Sequence, residues 1–328
     1  MKTPVISVCL LAHNSARYIA MAVHSVLAQT FTDWEMLICD DASSDETGKI
    51  AEGYLQDSRI RYLRHRENLG QAGNWRYAIE KSSALIIATL HADDVWESGT
   101  LAHFVSCFTC DQGIDVVWGR WLRTNKELRP LAYQLPACND RLFSGFEAVA
   151  YLLRTRLCLP SVLAFHKRVV DRAGLPNANY DALCDMEYVL RLCKHAVYAR
   201  ASPCLLTRYR LHEDSLTTAY HNGDEYVREL DRFQTYLSEL LEGVPAREKL
   251  VEENNLRIAE WNFRVAMSLK IDGKATEAGQ RLRKAFILNP WLLTQWRFLV
   301  KWILFHTGRC GKIALARIHG RNKWVTQE

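Results

Sequence analysis

Short apolar runs alternate with segments of helical periodicity along the first 120 residues of the chain. The runs are bounded by polar turns, as buried strands are. The segments between them repeat apolar positions every three or four residues, as amphipathic helices do. This alternation predicts βαβ units around a mostly parallel sheet. The predicted strands are 5–11, 34–39, 60–63, 84–90 and 115–118, and the predicted helices are 16–29, 45–56, 71–81 and 97–110.

The pattern changes twice in the rest of the chain. Residues 120–160 are irregular, with one predicted helix near 144–154, which indicates an excursion over the edge of the sheet. The elements predicted next are strands at 161–165 and 204–209 and a helix at 181–196. From about residue 223 the periodicity is helical throughout. We therefore predict an α/β domain over 1–220 and a helical region over 221–328.

The charge of the chain is distributed unevenly. Its 328 residues are 48% apolar and 24% charged, which is typical of a globular protein. The net charge is +5, but residues 281–328 hold ten Lys or Arg and a single acid, so the remaining body is slightly acidic. A basic tail on an acidic body favours docking to an anionic surface, and we expect no nucleic-acid partner.

The basic tail contains the segment WLLTQWRFLVKWILF at 291–305. It has two cations and is shorter than the roughly 20 apolar residues that span a bilayer. An amphipathic helix lying in the membrane interface fits better, so residues 291–324 are predicted to bind an anionic membrane surface. The alternative is that the apolar face packs on the protein's own body or on a second copy in a homodimer.

Cysteine usage and the N-terminus bear on location. The ten cysteines are scattered, several within apolar patterns, as reduced buried cysteines are. The first apolar run lacks the features of a cleavable signal. We therefore expect a cytoplasmic protein, peripheral on the cytoplasmic face of the cell membrane.

Two pairs of adjacent aspartates, Asp40-Asp41 and Asp93-Asp94, each follow a predicted buried strand. Ligands of open α/β sheets bind outside the carboxyl ends of the strands. The two pairs therefore suggest a nucleotide and a divalent cation held side by side.

Several motifs together resemble family 2 glycosyltransferases, which have the GT-A fold. The first is VISVCLLAHNSARYIAMAVHSVLAQTFTDWEMLICDDASSDET, and NLGQAGNWRYAIEKSSALIIATLHADD continues it. The later segments CDMEYVLRL and YRLHEDSLT complete a resemblance that covers residues 4–218. It implies a GT-A nucleotide-sugar domain with a helical C-terminal appendage.

The resemblance implies a set of nucleotide-binding residues. In the family, a carboxylate at the position of Asp41 accepts a hydrogen bond from the base, and N3–H of uracil is such a donor. His13 falls where a ring lies against the base. The remaining implied nucleotide contacts come from Leu11, Ala12, Asn68, Gly70, Asn74, Asp93 and Arg210. Asp41 as a helix-capping acid and Asn74 as a helix-surface residue are the alternatives.

The resemblance also implies a metal and a catalytic base. Asp94 and His212 would bind Mn²⁺ or Mg²⁺, with Asp93 at the ribose or behind the metal. His91 departs from the aspartate that many relatives have at this position. Asp185 would be the base that takes the proton of the acceptor hydroxyl. A helix cap is the alternative role for Asp185, with Glu187 as the second candidate base.

The resemblance therefore implies an inverting glycosyltransferase. It would move a sugar from a nucleoside-diphosphate sugar, most simply a UDP-sugar, to a glycan or lipid-linked glycan. One alternative is a sugar-phosphate nucleotidyltransferase, but the segment LLAHNSARY is not the Gly-rich, Arg-containing phosphate loop that it needs. The other is an inactive scaffold, which would show no Mn²⁺-dependent turnover.

Overall fold

The structure is a computed structural model, and it describes residues 3–131, 139–155, 159–213, 215, 224–244 and 246–294. The chain divides into two compact units, Met1–Pro245 and Ala246–Glu328. The domain boundary predicted after residue 220 lies outside the described residues.

The described part of the first unit forms one nine-stranded mixed sheet. The strands are β1 (Ile6–Ala12), β2 (Trp34–Asp40), β3 (Ile60–Arg64), β4 (Ile86–His91), β5 (Val95–Trp96), β6 (Ile114–Thr124), β7 (Arg141–Ser144), β8 (Leu163–His166) and β9 (Tyr198–Arg210). They lie in the order β3-β2-β1-β4-β8-β6-β9-β5, and β7 pairs with β9. The first four strands are mutually parallel, whereas β5, β7 and β8 pair antiparallel with their neighbours.

The central strands form because they are apolar on both faces. Every residue of β1 and of β2 is buried, which is the pattern of a sheet covered by helices on both sides. The helices of this unit are α1 (Ile19–Leu27), α2 (Thr47–Glu52), α3 (Gly70–Lys81), α4 (Thr100–Cys110), α5 (Gly145–Thr155), α6 (Lys167–Ala173), α7 (Cys184–His195) and α8 (Asp224–Leu240). The predicted α/β class is confirmed.

Several details differ from the predicted elements, among them the short helix α6, which was not predicted. β5 and β7 were not predicted, because strands of two and four residues are too short to show a recognisable alternation of apolar and polar residues. The predicted helix at 45–56 is limited to Thr47–Glu52. The strand predicted at 204–209 is the second half of β9, which begins at Tyr198 and has the exposed Pro203 just before the predicted start.

The second unit contains α9 (Arg247–Ile271) and α10 (Ala275–Leu288), followed by a short 3-10 turn. Phe263 and Met267 of α9 pack with Ala278 and Leu282 of α10 in an apolar cluster. The predicted membrane-binding segment lies outside the described residues beyond Thr294. No helix among the described residues is long and apolar enough to span a bilayer.

Candidate active site

The carboxyl ends of three adjacent parallel strands meet at one edge of the sheet. β1 lies between β2 and β4, and the register aligns Ala12 with Asp40 and Leu11 with His91. The two aspartate pairs therefore leave the sheet at the same edge, on either side of β1. This is the edge at which open α/β sheets bind ligands.

The two members of the first aspartate pair have different surroundings: Asp40 points into the protein, and Asp41 faces the candidate site. Asp40 is fully buried and accepts hydrogen bonds from the Tyr62 hydroxyl at 2.5 Å and the Ser43 amide at 2.9 Å. Asp41 accepts the Leu69 backbone N–H at 2.7 Å, which ties the segment before α3 to the end of β2. Burial raises the pKa of Asp41 above its usual value, although the Leu69 N–H acts in the opposite direction.

The first backbone N–H of the helix that follows this pair is bonded to a different acid. The Thr47 backbone N–H, at the start of α2, donates to Asp45 Oδ1 at 3.0 Å. Asp41 therefore does not serve as the cap of α2.

His13 and Asn68 are exposed beside Asp41. His13 Nδ1 lies 2.7 Å from the carbonyl oxygen of Asp41, so this nitrogen carries the proton. The Asn68 side-chain oxygen accepts the Gly70 N–H at 2.8 Å, and its amide nitrogen lies 3.4 Å from the His13 ring nitrogens. The imidazole and the amide thus form one polar surface next to the Asp41 carboxylate.

Three predicted nucleotide contacts point into the protein. The carbonyl oxygens of Leu11 and Ala12 accept backbone N–H groups from the turns after β4 and β2. Asn74 is buried; its side-chain nitrogen donates to the carbonyl oxygen of Cys39 at 2.9 Å, and its side-chain oxygen lies 3.1 Å from His65 Nε2. Asn74 therefore holds α3 against β2, and it is not a helix-surface residue.

The second aspartate pair is fixed by a buried arginine. Asp94 is fully buried and accepts hydrogen bonds from the Ser161 hydroxyl at 2.6 Å and the Arg210 backbone N–H at 3.0 Å. The Arg210 guanidinium donates to the carbonyl oxygens of Asp93, at 2.7 Å, and Lys126. Only 2% of Arg210 is exposed. This geometry favours a role in holding the aspartate turn over the predicted contact with phosphate.

Asp93 and His212 face each other at this edge. His212 Nε2 lies 3.1 Å from Asp93 Oδ2, and its ring packs on that of Tyr18 at 4.6 Å between centroids. Burial acts to raise the pKa of Asp93, but the hydrogen bond to His212 and the nearby His91 ring lower it below the ordinary value. Asp93 is therefore held as a carboxylate.

His91 completes a group of ligand atoms suited to a cation. One ring nitrogen of His91 and one oxygen each of Asp93 and Asp94 lie within 4.8 Å of one another. His91 Nε2 is buried and has no hydrogen-bond partner among the residues that the structure describes. A buried, unpartnered nitrogen beside two carboxylates fits a divalent metal ion, because a bound ion would satisfy it.

Asp185, the predicted general base, lies in the first turn of α7. Its Oδ1 accepts the Met186 N–H at 2.6 Å. Burial raises the pKa of Asp185 to about 6, despite that hydrogen bond. Glu187 is buried and bonds Arg191 through both oxygens, at 2.6 and 3.0 Å, so it is occupied in an ion pair.

Asp181, which the sequence analysis missed, links the loop before Asp185 to the start of α3. Asp181 Oδ1 accepts the Gln71 N–H at 2.6 Å. Gly70 has a φ of +74°, and a Cβ at this position would lie 2.8 Å from Asp181 Oδ1. The helical pattern of 181–196 concealed Asp181, because an acid at a helix start is ordinarily read as a cap.

Comparison with known proteins gives one matching family and several relatives. The family described as "Glycosyl transferase family 2" matches residues 7–172. A relative in Escherichia coli, "UDP-Glc:alpha-D-GlcNAc-diphosphoundecaprenol beta-1,3-glucosyltransferase WfgD", is 26% identical over 246 residues, covering 74% of this chain and 88% of its own.

Two solved structures share the fold. Staphylococcus aureus TarS 1–349 in complex with UDP-GlcNAc superposes with a TM-score of 0.63 at 14% identity, covering 99% of this chain and 94% of its own. The Pyrobaculum calidifontis mannosyltransferase PcManGT in complex with GDP-Man and Mn²⁺ gives a TM-score of 0.55 at 14% identity, covering 100% and 89%. The predicted GT-A fold is confirmed.

Proposed function

Because the chain belongs to glycosyl transferase family 2, and is thus a glycosyltransferase, we propose that it transfers the sugar of a UDP-sugar to a lipid-linked saccharide with inversion at the anomeric carbon. The observation that carries this proposal is that Asp41 and Asp93 follow strands that end at the same edge of the sheet, on either side of β1. The segment 69–71 bonds Asp41 and also bonds Asp181, in the loop before Asp185.

Asp41, His13 and Asn68 are proposed to bind the uracil base. A carboxylate fixed by the Leu69 N–H can accept a hydrogen bond from uracil N3–H. The exposed His13 imidazole, anchored to the Asp41 carbonyl, offers a flat surface beside it.

Asp93 and His212 are proposed as the first metal ligands, with His91 beside them. Their ligand atoms lie 3.1 Å apart, close to the roughly 3 Å between neighbouring ligands of a six-coordinate cation. Asp94, which we predicted from the sequence as a ligand together with His212, is fully buried and accepts two hydrogen bonds, and one of its oxygens belongs to the same group of ligand atoms as His91 and Asp93. Mn²⁺ or Mg²⁺ bound here would stabilise the charge of the departing diphosphate.

Asp185 is proposed as the general base. A raised pKa of about 6 leaves the carboxylate ionised at neutral pH, yet a better proton acceptor than an ordinary aspartate. It would take the proton from the acceptor hydroxyl as that oxygen attacks the anomeric carbon. A single displacement of this kind inverts the configuration, and it needs no covalent intermediate.

The acceptor is proposed to be carried on a membrane lipid. The Escherichia coli relative is named for an acceptor attached to diphosphoundecaprenol. The basic tail at 291–324, predicted to lie on an anionic membrane at the cytoplasmic face, would hold the enzyme near such an acceptor. Packing of the tail in a homodimer is the alternative.

Turnover by the purified full chain tests this proposal. UDP released from UDP-glucose and UDP-N-acetylglucosamine would be measured with Mn²⁺ and with Mg²⁺. Asp185→Asn is expected to lose roughly 10²- to 10⁴-fold in rate. Asp171→Asn, an exposed change on α6, should match the wild type. A scaffold would release no UDP, and an Asp185→Asn variant with the wild-type rate would refute the assigned base.

A further inference from the structure

Glu229, on α8, is buried against the turn that begins α7. Only 2% of it is exposed. Its Oε1 accepts the Asp181 N–H at 2.8 Å and its Oε2 accepts the Leu183 N–H at 2.9 Å. Both carboxylate oxygens therefore hold the backbone of the loop immediately before Asp185.

The same loop is bonded on its other side to the segment before α3. Asp181 Oδ1 accepts the Gln71 N–H at 2.6 Å, and the Leu69 N–H donates to Asp41 at 2.7 Å. Hydrogen bonds, joined by the backbone between Leu69 and Gln71, thus connect Glu229 through Asp181 to the carboxylate proposed to bind the base of the nucleotide. A buried carboxylate that accepts two backbone N–H groups orders a loop strongly, because either donor would be left unsatisfied without it.

α8, which carries Glu229, is held firmly against its surroundings and can therefore support the loop before α7. Phe233 and Leu237 are fully buried, and the Phe233 ring packs edge-on against Tyr180 at 6.3 Å. Lys194 of α7 donates to the carbonyl oxygen of Glu239 at 3.2 Å. α8 lies beyond the stretch 7–172 that matches the family model, as do α7 and β9.

We propose that Glu229 is a positioning residue that fixes Asp185 relative to the nucleotide segment and adds a negative charge beside it. This inference rests on the proposed role of Asp185 as base. Glu229 does not touch the reacting atoms; it acts through the loop at 181–183.

The charge of Glu229 gives a readout that a purely structural role lacks. Burial is the main cause of the raised pKa of Asp185, and the negative charge of Glu229 raises it further. The other charged or titratable groups around this turn are Asp181, Cys184, Glu187, Arg191, Arg232 and Tyr236. Neutralising Glu229 should therefore lower the pKa of Asp185 and move the acidic limb of kcat to lower pH.

Two substitutions in the full chain separate the two effects. Glu229→Gln removes the negative charge and replaces one acceptor oxygen by an NH₂ group, which cannot accept a hydrogen bond from the loop N–H that faces it. We therefore expect kcat to fall about 10- to 100-fold and the acidic limb of kcat to shift to lower pH. Glu229→Asp keeps the charge but shortens the reach, so kcat should fall while the limb stays in place. Glu239→Gln makes the same chemical change at an exposed position of α8 and should leave both quantities unchanged.

The assay is UDP release from UDP-glucose with Mn²⁺ between pH 5 and 8, paired with hydrogen exchange of the peptide that contains residues 181–186. Faster exchange in both Glu229 variants, but not in Glu239→Gln, is expected. Exchange needs no activity, and Glu229→Asp serves if Glu229→Gln does not fold. Glu229 variants that match Glu239→Gln in kcat, in the pH of the acidic limb and in exchange rate would overturn the inference. A fully active Asp185→Asn variant would instead overturn the assignment of Asp185 as general base.

Discussion

Arg210 donates its Nε–H to the carbonyl oxygen of Asp93 at 2.7 Å, and its own backbone N–H bonds the carboxylate of Asp94 at 3.0 Å. One residue at the end of β9 thus fixes both members of an aspartate pair that follows β4. The guanidinium also lies over the ring of Tyr18 at 4.5 Å. The position of the Asp93 carboxylate toward His212 therefore depends on a buried cation more than a hundred residues away in the chain.

Replacement of this cation should disturb the site and the fold together. Arg210→Lys keeps the charge but cannot serve the carbonyl oxygens of both Asp93 and Lys126, so unfolding free energy should fall by about 1–3 kcal/mol. Urea unfolding gives this value. Arg208→Lys is the control, since Arg208 is 41% exposed in its side chain and pairs with Glu97, an interaction worth about 1 kcal/mol or less. Equal losses in the two variants would contradict the role of Arg210.

Gly70 should tolerate no side chain. Gly70→Ala adds the strain of φ +74° to a Cβ only 2.8 Å from Asp181 Oδ1, so we expect a stability loss above about 1 kcal/mol and a several-fold higher KM for the donor sugar nucleotide. Gly273→Ala is the control that separates backbone strain from the close contact with Asp181. Gly273 has φ +86° with open space around it, so it should lose stability through strain alone and leave KM unchanged. A Gly70→Ala enzyme with wild-type KM would argue against the contact with Asp181.

The fold was more predictable than the site. Strands such as β1 and β2 are continuous apolar runs, so their existence and their place in a parallel sheet follow from the sequence. The surroundings of each aspartate pair do not, because Asp40 contacts Tyr62 and Asp94 contacts Ser161 and Arg210, all of them distant in sequence. Glu229 gave no signal at all, since a glutamate in an amphipathic helix is ordinarily solvent-facing.

The pH dependence of turnover should report Asp185. The base must be ionised, so kcat should rise with pH through a pKa of about 6. The stability effect has the opposite sense: because the folded pKa is raised, protonation favours the folded state, and this contribution is lost as pH rises through about 6. Asp185→Asn should therefore be more stable than the wild type at pH 7.5, by about 1–2 kcal/mol, with the difference shrinking toward pH 4. A destabilised variant at pH 7.5 would contradict the burial of this charge.

The basic tail gives a prediction independent of catalysis. The full chain should float with vesicles that contain anionic lipid and should not float with neutral ones, because the attraction is electrostatic. A chain ending at Asn289 should lose this flotation. Equal flotation of the two chains would exclude the membrane role of 291–324, and a change from dimer to monomer on truncation would favour the packing alternative.

Calorimetric binding of UDP, with and without Mn²⁺, tests most directly whether Asp41 and Asp93 belong to one nucleotide-metal site. The wild type should bind UDP at least about 10-fold more tightly with Mn²⁺ than without, since the ion would bridge protein and diphosphate. Asp41→Asn should weaken binding under both conditions, and Asp93→Asn should remove only the Mn²⁺-dependent gain. UDP binding that is unchanged by both substitutions, or indifferent to Mn²⁺ in the wild type, would contradict the account.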